Sequence, residues 1–105
     1  DLVIGILNMR YARIFISGFV QAVGFRQFIK INADRLKLEG WVRNLPDGQV
    51  EAVFQGSKEK IKEMIVLCKK GPFLAEVESV DVVWEETKAK SDLAKEKFEG
   101  FEIRV

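Results

Sequence analysis

The chain has 105 residues, 48% of them hydrophobic and 31% charged, enough for one domain that buries roughly two-thirds of its unfolded surface. It contains no His and a single Cys, which excludes an imidazole general base, a disulfide framework and a Cys- or His-based zinc site. A net charge of +1, from 17 basic and 16 acidic residues, provides no bulk attraction to nucleic acid or to an anionic membrane.

The first nine residues carry an apolar run from Leu2 to Leu7. It is far shorter than the ~20 residues of a membrane span and lacks the basic region of a signal peptide. Residues 1–9 are read as an extension ahead of a start at Met9, with an extra edge strand as the other option. Residues 10–105 are then the domain. One free Cys and no export signal point to the reducing cytoplasm.

Tyr11 to Ser17 reads as a strand with Ala12, Ile14 and Ile16 on one face. Gly18 to Gly24 is a glycine-bounded loop. From Phe25 the period becomes helical, through Phe28, Ile29, Asn32 and Leu36, with Gly40 as the expected stop signal. Trp41 to Leu45 and Gln49 to Gln55 are strands joined by the turn Pro46-Asp47-Gly48, so they form a hairpin. Val50, Ala52 and Phe54 face inward on the second of these. Ser57 caps a second helix whose apolar stripe is Ile61, Met64, Ile65 and Cys68. Lys69 and Lys70 suit its negative end, and Gly71-Pro72 closes it. Val77 to Trp84 is a fourth strand, with Trp84 assigned to the core. Lys88 to Glu99 reads as a solvated loop or short helix, and Phe101 to Val105 as a short last strand.

Each helix has one apolar stripe and each strand one apolar face. The economical arrangement is an α+β fold, a ferredoxin-like sandwich with an antiparallel sheet and both helices on one side. Such an architecture hosts many activities, so function must come from the residues of a site.

Two features suggest one. The loop Gly18 to Phe25 enters a helix N-terminus, where backbone N–H groups lack partners and the helix dipole is positive. Arg26 lies in the first turn, where a cation is misplaced unless an anion is bound beside it. The other reading of Arg26 is a surface side chain on an ordinary strand-to-helix loop. On the hairpin, alternation puts Val42 and Asn44 on the core side and Trp41 and Arg43 on the other. An inward amide needs partners, and Asn44 either satisfies the adjacent turn or serves a ligand.

These segments resemble the acylphosphatase family. Its first motif, Gly-x-Val-Gln-Gly-Val-x-Phe-Arg, is matched by Gly18 to Arg26. Its second is matched by Gly40-Trp41-Val42-Arg43-Asn44 with Gly48 and Val50. The closing Phe101-Glu102-Ile103-Arg104 also fits, and the resemblance covers residues 10 to 105. It implies hydrolysis of the carboxyl–phosphate bond of acyl phosphates. On the family pattern Arg26 binds the phosphoryl group and Asn44 orients the attacking water. The backbone of Val20, Gln21, Ala22, Val23, Gly24, Phe25 and Arg26 completes the cradle. Ala22 stands where the family has Gly, and a positive φ there would cost an L-residue roughly 1–2 kcal/mol. Phe19 stands where a basic residue is common.

The absent His fits this chemistry. A carboxylate leaving group has a conjugate acid of pKa near ~4 and departs as an anion without a general acid. The protein then supplies charge stabilisation and positioning, the main contributions in phosphoryl transfer. The expectation is a cytoplasmic, monomeric, stand-alone enzyme acting on a small acyl phosphate by direct water attack. It releases inorganic phosphate, uses no cofactor or metal, and engages neither nucleic acid nor membrane. The alternative is a weakly active or inactive acylphosphatase-like module that binds phosphate or a phosphoprotein. Two further options are an RNA-binding sheet, opposed by Glu51 on its outward face, and the first domain of a hydrogenase-maturation carbamoyltransferase.

Overall fold

A computed structural model describes residues 9–85 and 98–105. The expectations for residues 1–8, and for most of the stretch from Lys88 to Glu99, fall outside the described residues. In chain order the elements are β1 (Met9–Phe19), α1 (Phe25–Arg35), β2 (Glu39–Asn44), β3 (Val50–Ser57), α2 (Lys58–Lys70), β4 (Glu76–Glu85) and β5 (Phe101–Ile103).

The sheet order is β4-β1-β3-β2-β5. The first four strands pair antiparallel, as the ferredoxin-like reading expects. β5 adds a parallel pairing on the outer edge of β2, with Val42 opposite Ile103, so the sheet is mixed.

Strand alternation sorts side chains onto two faces. Ala12, Ile14, Ile16, Val42, Val50, Ala52 and Phe54 point to the helix side and are fully buried. Both helices close on them: Phe25, Ile29 and Ala33 of α1 and Ile61, Met64, Ile65 and Cys68 of α2 join one continuous core. Phe101 stacks on Phe54 with ring centroids 5.5 Å apart, which fastens β5 to that core. Ser57 caps α2 as expected, its Oγ accepting from the Lys60 amide.

The opposite face carries a smaller cluster of Tyr11, Trp41 and Val53. Glu51 is buried there, with one carboxylate oxygen 2.7 Å from Arg13 Nη1 and the other 2.7 Å from Arg43 Nε. Two partners offset the cost of desolvating its charge. The guanidiniums of Arg13, Arg43 and Arg104 all lie within 6.0 Å of the Trp41 ring centroid.

Two expectations need correction. Gly40 does not end α1. The helix stops at Arg35, and Lys37 takes the left-handed position at φ 57°. The Leu38 amide reaches the Ala33 carbonyl and the Lys37 amide that of Asp34, a Schellman closure. Gly40 lies inside β2 at φ 137°, where a Cβ would fall on the Val53 carbonyl oxygen. Trp84 is not core: it is 38% exposed. It ends an edge strand beside Arg10, Lys58 and Lys62, outside the apolar cluster.

Candidate active site

β1 and α1 are joined by residues 20–24. Ala22 holds φ 61° and Gly24, the N-cap, holds φ 78°, both left-handed. This double reversal turns the chain sharply into the helix. Gly24 makes no side-chain cap, and the first turn of α1 carries no acidic residue. The first intrahelical bond runs from the Phe28 amide to the Gly24 carbonyl at 3.0 Å. The amides ahead of it are therefore served by no carboxylate of their own turn, and they carry the positive end of the helix dipole.

Opposite this helix start, Asn44 ends β2. Val42, two residues back, is fully buried on the helix side, and alternation sends Asn44 the same way. The Pro46-Asp47-Gly48 turn does not use it. That turn is closed by the Gly48 amide on the Leu45 carbonyl and by the Gln49 amide on Asp47 Oδ1 at 3.0 Å. Among the described residues, neither the Asn44 amide nor the Arg26 guanidinium has a hydrogen-bond or ion-pair partner, though both are half-buried.

Arg26 and Asn44 line the same recess of about 190 Å³. Of the residues expected in the cradle, Val20, Ala22, Gly24 and Phe25 also line it, while Gln21 and Val23 do not. Gln21 instead donates its side-chain amide to the Leu45 and Gln49 carbonyls of the hairpin turn. A wider groove of about 600 Å³ continues outward past Arg26 and Asn44 to Arg43, Leu45, Pro46 and Val105. No acidic residue lines the recess, and Arg26 brings a positive charge to it although the chain is nearly neutral.

Gln27 and Ile103 line the recess without having been anticipated. Gln27 follows the matched loop by one residue and was legible only as a position on the first turn. Ile103 arrives through the parallel pairing of β5 with β2, which no local pattern encodes. Phe19 is 63% exposed, immediately before Val20. Among the described residues no group of three Asp, Glu or Cys is arranged to hold a metal ion.

Sequence and structural comparisons agree with this geometry. A sequence model of the acylphosphatase family matches residues 12–103. An acylphosphatase from Chloroflexus aurantiacus is 46% identical over 87 residues, covering 83% of this chain and 95% of that protein. The crystal structure of acylphosphatase from Bacillus subtilis superposes with a TM-score of 0.80 at 32% identity, covering 92% of this chain and 99% of the other. A similar unit occurs in the structure of T. kodakarensis HypF, with a TM-score of 0.73 and 31% identity, over 91% of this chain but 12% of that one. The fold, the two motifs at one recess and the match over nearly the whole chain give one conclusion: this chain belongs to the acylphosphatase family, a family of hydrolases.

Proposed function

We propose that the protein hydrolyses the carboxyl–phosphate bond of small acyl phosphates, with the phosphoryl group held at the start of α1. The observation that carries this reading is the convergence of Arg26 and Asn44, both without protein partners among the described residues, on one recess at a helix N-terminus. A phosphoryl group there receives the loop amides and the helix dipole, and Arg26 supplies a full positive charge. The same anion removes the penalty of a cation in the first helical turn. Asn44 offers a carbonyl oxygen and an amide across the recess, suited to accept a hydrogen bond from one water and fix its direction.

In this mechanism water attacks phosphorus in line with the leaving carboxylate. The new P–O bond forms as the bond to the acyl oxygen breaks, and the electron pair leaves on the carboxylate. The water proton passes to a phosphate oxygen or to solvent. No imidazole is needed, because the departing carboxylate is a weak base. Arg26 and the amides stabilise charge on the phosphoryl oxygens, and Asn44 supplies alignment.

The same reading takes the protein as a cytoplasmic monomer that binds neither nucleic acid nor membrane. Trp41, 3% exposed beneath three guanidiniums, offers no bare ring for base stacking. No helix among the described residues is long and apolar enough to cross a membrane.

Steady-state hydrolysis of benzoyl phosphate tests the proposal. Arg26→Ala and Asn44→Ala are each expected to lower kcat by roughly 100-fold or more, the scale of removing one preorganised donor. Phosphate binding without turnover in the unmodified protein would favour the binding-module reading. A trapped phosphoenzyme would sink direct attack.

A further inference from the structure

Gln21 stands in the phosphate loop, yet its side chain serves the neighbouring hairpin. Nε2 donates to the Leu45 carbonyl at 2.8 Å and to the Gln49 carbonyl at 2.9 Å. A side-chain amide nitrogen has two N–H groups, and here both are used. The two carbonyls belong to the pair that closes the turn, where the Leu45 amide also donates to the Gln49 carbonyl at 2.8 Å. Asn44 is the residue directly before Leu45. One side chain thus joins the loop that faces the phosphoryl group to the hairpin end that carries the water-orienting amide.

We infer that Gln21 is a positioning residue for the hydrolysis: it sets the distance between the phosphate cradle and Asn44. This inference rests on the reading of Arg26 and Asn44 given above. Its chemistry is specific. Leu45 and Gln49 present only carbonyl oxygens to the side chain, so the partner must donate twice. A carboxylate at this position would face two acceptors and repel both. The tie is separable from folding, because the hairpin has other anchors. β3 stays paired to β1 along its whole length, and Gln49 Nε2 donates to Ser17 Oγ at 2.8 Å. Loss of Gln21 frees the loop to shift relative to Asn44 while the sheet remains.

Displacements of about 1 Å at a reacting centre cost on the order of 100-fold in rate. Gln21→Ala is therefore expected to lower kcat for benzoyl phosphate roughly 10- to 100-fold. The inhibition constant of inorganic phosphate should stay within about threefold, since Arg26 and the amides are intact. Gln21→Glu provides a second readout that does not depend on the truncation folding well. Its carboxyl group donates one hydrogen bond when protonated and none when ionised, so its kcat relative to the unmodified protein should rise several-fold as pH falls from about 8 to about 5, restoring one of the two bonds and part of the rate. Rates are taken well below the melting temperature of each variant. Arg26→Ala and Asn44→Ala are measured alongside. If those two keep near-normal kcat, the site reading fails and this inference falls with it. If they lose activity while Gln21→Ala keeps kcat, only the role of Gln21 is overturned. A loss of phosphate affinity equal to the loss in kcat, or a flat pH ratio for Gln21→Glu, overturns it as well.

Discussion

Ala22 holds φ 61° with an ordinary Cβ, a conformation that costs an L-residue roughly 1–2 kcal/mol. The loop bears this cost and keeps its left-handed turn, so an alanine reproduces the backbone that a glycine would adopt freely. Its side chain is exposed and lines the recess. Ala22→Gly is therefore expected to leave kcat within about threefold and to change stability by no more than about 1 kcal/mol, since relieved strain is offset by unfolded-chain entropy. Ala22→Val should be worse on both counts, because a β-branched residue at positive φ is a true outlier. Urea midpoints and benzoyl-phosphate kinetics on the two variants check this. A tenfold gain in Ala22→Gly would show that the Cβ displaces a donor. Cys68 lies at the other extreme of accessibility. Burial pushes its thiol up to about 12, so the native protein should resist iodoacetamide at pH 8 and react only on unfolding.

At the level of elements, both ends of α1 depart from the simplest helix. Its start lacks an acidic cap and carries Arg26, a local cost that only an anion in the recess reverses. Its end puts Lys37 at the left-handed position of a Schellman closure. Lys37→Gly should accordingly raise stability by about 0.5–1 kcal/mol without touching kcat, measured by chemical denaturation. In β2 the reverse holds. Gly40 allows the Val53 carbonyl to approach where a Cβ would sit. Gly40→Ala must push β2 off β3, at about 2–4 kcal/mol. Because Asn44 ends the same strand, that variant should also lose kcat. A stable Gly40→Ala with full activity would show that β2 tolerates the shift.

Across the whole molecule, one core joins the sheet to both helices, and Phe54 lies at its centre, fully buried beneath Phe101. Phe54→Ala should cost about 3–5 kcal/mol and loosen β5, which supplies Ile103 to the recess. Stability should also fall in alkali. Burial raises the pKa of Cys68 above the ordinary 9.0, and burial with the charge of Glu39 raises that of Tyr11 above 10.0. In each case the folded protein holds a proton that the unfolded chain releases. The stabilisation is present below about pH 9 and is lost as pH rises toward 12, with a thiol slope of at most about 1.4 kcal/mol per pH unit. Denaturation midpoints at pH 8 and pH 10.5 check the sign. Cys68→Ala should remove the thiol share of the slope.

Local chemistry made much of this protein legible in one dimension. Period-2 and period-3.6 patterns placed both helices and the strands, since each element must bury one face. The turn at Pro46-Asp47-Gly48 and the cap at Ser57 follow from backbone preferences of single residues. The loop before Arg26 and the inward position of Asn44 marked a candidate anion site, because unpaired amides and a misplaced cation are sequence-local facts. The absence of His limited the chemistry to a leaving group that departs unaided. Tertiary structure decided the rest. Parallel pairing of β5 beside β2 joins residues some sixty positions apart, so Ile103 as a wall of the recess had no local signature. Trp84 reads as core by alternation, but an edge strand leaves its end uncovered. Glu51 reads as a solvated outward acid, yet Arg13 from another strand and Arg43 across the ladder bury it. Gln21 shows the division most clearly. Its place in the motif is visible in the sequence, but its side chain answers two carbonyls from another hairpin, and only the packing of loop against turn brings those three groups together.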